Sequence, residues 1–107
     1  MHLDKEKVDS IIIQKMEINK IKESMGIREI IDKKTISEII DQFVIFEEYP
    51  SKFIPLYLIV FKNQNEPILT LLANRNYFKI IESKEKIGFI YFRLKEGFNI
   101  ETYFNAI

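Results

Sequence analysis

The chain has no cysteine and no tryptophan, one histidine, three glycines and three prolines among 107 residues. Without cysteine there are no disulfides, no thiolate nucleophiles and no thiolate metal sites. The one histidine, His2, lies in the charged opening segment, so Ser–His and Cys–His chemistry has almost nothing to work with. A zinc site would have to rest on carboxylates, which zinc rarely accepts alone. Gly26, Gly88 and Gly97 are far apart and build no loop that could wrap backbone amides round a phosphate. No catalytic residue, cofactor or metal is therefore expected.

A surplus of one charge is also missing, with 16 basic and 16 acidic residues. Proteins that hold nucleic acid through its backbone use a basic excess to displace counterions, so only a local patch could do so here. The longest apolar run, Phe53 to Phe61, contains Pro55 and falls well short of the ~20 residues that cross a bilayer as a helix. Met1 to Lys7 lacks the apolar segment of a signal peptide. These absences lead to an expectation of a cytoplasmic protein without membrane contact.

A hydrophobic fraction of 47% and a charged fraction of 30% belong to a globular chain. The reading is one α+β domain over 1–107, with 1–7 frayed. Isoleucine, lysine and asparagine are prominent, a bias that points to an AT-rich genome.

Residues 8–21 are ambiguous. Val8, Ile11, Ile12, Met16 and Ile18 cluster loosely on a helix, whereas the β-branched stretch from Ser10 to Ile18 favours a strand. The strand is preferred, followed by a turn at Met25-Gly26 and a short strand from Ile27 to Ile31. Thr35-Ile36-Ser37-Glu38 reads as a capping box, and Ile36, Ile39, Ile40 and Phe43 recur at helical spacing. One main helix over about 36–46 is predicted, ending before Pro50.

From Leu56 onward the pattern is of short strands: Leu56–Lys62, Ile68–Ala73, Tyr77–Glu82 and Ile87–Leu94. Turns are predicted at Asn63–Pro67, Asn74–Asn76 and Ser83–Lys86. Asn99 is placed to cap a short terminal helix. The expected architecture is a twisted antiparallel β-meander of about four to six strands packed by one main helix.

Four segments carry residue types that could do chemistry, each with a plainer explanation. Glu82-Ser83-Lys84 matches half of a metal-dependent nuclease site, but its possible second acids, Glu66 and Glu85, fall in predicted turns. Glu47-Glu48 reads as a solvated helix end. Asn74 to Lys79 mixes cations with stackable rings, as single-strand binders do, yet rings that open a strand usually pack across it. Tyr49 and Phe53, with Tyr57 at the start of the following strand, place large rings in and beside an irregular link, where polar residues are the norm. They are the candidate protein-binding residues.

The strands themselves are apolar on both faces: Leu56, Leu58 and Val60 alternate with Tyr57, Ile59 and Phe61. A sheet wetted on one side should alternate apolar with polar. Something is expected to cover the second face: other parts of the chain, a second copy, or another protein. The leading expectation is a small non-enzymatic protein-interaction module, such as an inhibitor, immunity, anti-defence or accessory protein. The alternative is a small-molecule-binding or carboxylate-dependent enzyme domain with a closed pocket inside a curled sheet, holding Glu, Tyr and an arginine such as Arg75 or Arg93. Single-stranded nucleic-acid binding ranks third. It needs Lys62, Arg75, Lys79 and Arg93 on one face without intervening acids.

Overall fold

The computed structural model describes residues 4–17, 20–21, 26–45, 54–74, 77–84 and 91–105. A 3-10 turn at Lys5–Lys7 leads into β1 (Ser10–Glu17), β2 (Lys20–Ile21) and β3 (Ile27–Ile30), followed by α1 (Lys33–Asp41). The chain continues through β4 (Phe43–Ile45), β5 (Tyr57–Asn63), β6 (Glu66–Ala73), β7 (Tyr77–Ser83) and β8 (Tyr91–Leu94), and ends in α2 (Ile100–Asn105). The β-branched stretch near the start is thus a strand, as its composition favoured.

All strands join one antiparallel sheet in the order β2-β1-β5-β6-β7-β8-β4, with β3 also on β1. Residues of β1 pair β5 along one edge, so β2 and β3 share the other as one interrupted strand. Eight strands minus that shared place leave a sheet seven strands wide, more than the expected four to six.

The sheet is strongly curled. β4 and β5 stand four places apart, which in a flat sheet would separate them by roughly 19 Å at ~4.8 Å per strand. Yet the Phe43 ring on β4 stacks on Phe61 of β5 with centroids 5.8 Å apart. Phe43 also meets Phe92 edge-on at 4.5 Å and Phe78 at 5.4 Å. The concave side is filled by these rings together with Ile11, Ile13, Ile59, Leu69 and Leu71, and both helices seal it with Ile36, Ile39, Ile40, Ile100 and Phe104. That single core makes the chain one domain.

The main helix differs at both ends from its expectation. Its N-cap is Asp32, whose carboxylate accepts the Thr35 N–H at 3.0 Å and the Thr35 hydroxyl at 2.7 Å. Thr35 therefore sits inside the first turn; a carboxylate three residues earlier is at least as good a cap and also matches the helix dipole. The helix stops at Asp41, and Phe43–Ile45 is a strand on the free edge of β8. Helical spacing placed Phe43 correctly toward the core, but tertiary pairing decided its backbone.

The β5–β6 hairpin turns at Gln64 and Asn65, both with positive φ of 51° and 69°. Two left-handed residues match the right-handed twist of the flanking strands. Pro67, expected in the turn, lies in β6 beside a register shift at Phe61/Lys62, where a missing N–H is tolerated. Asn99 caps α2 as expected, its side chain accepting the Glu101 N–H at 2.9 Å.

Candidate interaction surfaces

Strand parity sorts the nominated residues. Tyr57 points inward, is 1% exposed, and has its ring centroid 5.5 Å from that of Phe104. It is a core residue rather than a contact, and its substitution would disturb folding. Tyr49 and Phe53 lie outside the described residues, as do His2, Glu47, Glu48, Arg75 and Glu85.

The outer face of the sheet carries the second apolar set. Ile12 pairs Val60, and Leu58 pairs Leu72; all four are half-buried. Both helices lie on the concave side, so neither covers them. Toward the other edge Leu72 pairs Lys79, Lys79 pairs Tyr91, and Tyr77 pairs Arg93. Over β1, β5 and β6 the outer face therefore carries these aliphatic residues interrupted by Gln14 and Thr70, and over β7 and β8 it is mixed cationic and aromatic.

Lys62, Lys79 and Arg93 do share that face, as a nucleic-acid track requires. Glu29, opposite Ile12, and Glu82, opposite Thr70, share it too. Carboxylates of that kind interrupt the continuous positive track that follows a phosphate backbone.

The half-motif Glu82-Ser83-Lys84 has its cation engaged elsewhere. Lys84 Nζ donates to Glu66 Oε2 at 3.1 Å in an exposed ion pair, the kind that contributes little to stability. Among the described residues no three acidic or imidazole groups converge on a metal position. No described helix is long and apolar enough to cross a membrane.

Among the described residues the concave side is filled by rings and aliphatic side chains, and Arg93 lies on the opposite face. Concavity exists instead where α1 meets the turn after β8. A groove of about 460 Å³ runs there between Glu38 and Gln42 on one wall and Lys95 and Phe98 on the other. A second depression of about 280 Å³, lined by Tyr103, shares Glu38 and Phe98 with it.

A relay ties the groove to both helices. Gln42 Nε2 donates to the Tyr103 hydroxyl at 2.7 Å, and that hydroxyl donates to Glu38 Oε1 at 3.0 Å. Burial, the largest influence, raises the Tyr103 pKa above 10.0, and its bond to Glu38 adds to the rise. Gln42 is 4% exposed, and its Oε1 has no hydrogen-bond partner among the described residues.

Sequence reading passed over Gln42, Phe98 and Tyr103. Gln42 looked like one more polar residue on the outer side of a helix, and Tyr103 lies 61 positions further along. The only local signal was a glutamine directly before an apolar Phe-Val-Ile run, where the helix gives way to a strand. Comparison of the chain with protein-family models, curated proteins and solved structures finds no match.

Proposed function

We propose that this protein is a non-enzymatic binding module that holds another protein against the outer face of its sheet. The observation that carries the reading is the contiguous set Ile12, Leu58, Val60 and Leu72 on a face that neither helix covers. Contiguous apolar surface of this kind is where protein partners dock. Tyr77, Tyr91 and Arg93 beside it are residue types that dominate contact energetics. Lys79 and Arg93 select a partner whose apolar patch is bordered by carboxylates on the β7–β8 side. Tyr49 and Phe53 join this proposal on their chemistry alone.

The test compares capture by the wild type with capture by Leu72→Lys and Val60→Asp, which place charge on the outer face. One stoichiometric partner protein, lost with both variants at unchanged melting temperature and retained with Phe98→Ala, is the expected result. Retention of that partner by the outer-face variants would sink the reading. Concentration-dependent self-association in sedimentation, abolished by the same variants, would replace the hetero-partner with a second copy. Salt-sensitive binding of a fluorescent oligo(dT) would replace it with single-stranded nucleic acid.

A further inference from the structure

The strand order has two ends, and the end of a sheet carries backbone donors and acceptors that a further strand could pair. β4 is three residues long and β2 two, too short to hold one. β3 is longer, Ile27, Arg28 and Glu29 are all exposed, and among the described residues it pairs β1 alone. The Lys15 N–H donates to the Gly26 carbonyl at 3.3 Å. Bonded and non-bonded pairs alternate along an antiparallel ladder, so the N–H and C=O of Ile27 and Glu29 point away from β1, toward the open side. Ile27 and Ile31, 48% and 69% exposed, add apolar side chains to that stretch. An edge of this kind is a template for a second copy of the chain.

Two residues stand against it. Arg28 Nη1 donates to the Ile27 carbonyl at 3.2 Å and so occupies an outward acceptor. Its guanidinium lies 5.1 Å from the centroid of the Phe104 ring, which anchors the side chain in that position. The charges act through register. Two copies that extend one sheet across a two-fold axis set residues of the same face opposite each other, because side chains alternate along a strand. Two registers use most of β3. In one, Arg28 lies opposite Arg28 of the other copy; in the other, Glu29 lies opposite Glu29. Like charges directly opposite each other are destabilising. With Glu29 gone, the second register would bring Ile27 against Ile31 twice, a favourable cross-strand pair.

We propose that Arg28 and Glu29 form a block on self-pairing built into the β3 edge. Arg28 closes an outward carbonyl, and the two charges oppose the two registers that a second copy would use. The block concerns the sheet edge, not the outer face, and stands or falls independently of protein docking there.

The experiment compares the wild type with Glu29→Val, Arg28→Thr/Glu29→Val and Arg28→Thr/Glu29→Pro. Sedimentation velocity and backbone amide exchange are read from about 10 μM to about 1 mM protein. In the wild type, exchange at positions 27 and 29 is expected to be the same at every concentration. Arg28→Thr/Glu29→Val should approach twice the monomer mass, with exchange at both positions slowed about tenfold or more as concentration rises. Glu29→Val alone should do the same at about tenfold higher concentration. It leaves Arg28 on Phe104, so it carries the test if the double variant does not fold. Arg28→Thr/Glu29→Pro is equally uncharged but lacks the outward N–H of position 29, and should stay monomeric. Equal association of the valine and proline double variants would overturn strand pairing as the mode. Concentration-dependent protection at positions 27 and 29 in the wild type would overturn the block. A folded Glu29→Val or Arg28→Thr/Glu29→Val that stays monomeric over the whole range would overturn it as well.

Discussion

Gln42 and Tyr103, 61 residues apart, are joined by a 2.7 Å hydrogen bond that ties the end of α1 to the middle of α2. The bond satisfies only half of the glutamine amide, because Oε1 stays unpartnered in the same buried environment.

That asymmetry separates two substitutions. Tyr103→Phe removes the hydroxyl that accepts from a buried amide donor and should cost about 1–2 kcal/mol in urea unfolding. Gln42→Met removes the donor and the orphan oxygen together, leaving a half-exposed tyrosine that water can serve. Its stability should stay within about 1 kcal/mol of wild type. Equal losses in the two variants would contradict the arrangement.

Asp32 makes the acid side of stability testable. Its carboxyl is held below the usual 3.8, first by the Thr35 hydroxyl and then by the Thr35 N–H. A depressed carboxylate contributes stability that is complete above 3.8 and disappears as pH falls through the lower, folded value. Asp32→Ala should lower Tm at neutral pH, and the gap to wild type should close as pH drops below 3.8. Asp32→Asn, which caps without titrating, should reduce the pH dependence in that window. A Tm gap for Asp32→Ala that does not change with pH would contradict the assignment.

Phe43 is the residue on which closure of the curl depends. Its ring touches Phe61, Phe78 and Phe92 from three different strands. Phe43→Ala should destabilise by roughly 3 kcal/mol, measured by chemical unfolding. Ile81→Ala is the comparison: that residue is 50% exposed and should change stability by less than about 0.5 kcal/mol.

The hairpin between β5 and β6 holds stability in reserve. Asn65 has φ of 69°, a conformation that glycine adopts without steric cost. Asn65→Gly should therefore stabilise the protein by about 0.5–1 kcal/mol. Asn65→Val should destabilise it by more than that, since a β-branched side chain resists positive φ.

Most of the local elements were legible in the residue pattern. Alternation from Tyr57 to Asn63 and from Glu66 to Ala73 set which residues share a face, though not which face is inward, because side chains on a strand alternate whatever pairs beside it. Isoleucines at 36, 39 and 40 set the buried stripe of α1 for the same kind of geometric reason. The excess of apolar residues over what one sheet face can hold was legible too, as was the cap at Asn99. The helix ends were not legible: an aromatic and β-branched Phe-Val-Ile run can continue a helix or start a strand, and only the open edge of β8 decided it. Nor could Tyr57 be recognised as core, since a ring beside an irregular link looks the same in sequence whether it faces inward or outward. Only the tertiary structure curled the sheet until Phe43 met Phe61, and only it set Gln42 against Tyr103. Both contacts join residues far apart in the chain, and nothing local encodes which distant partner a side chain will meet.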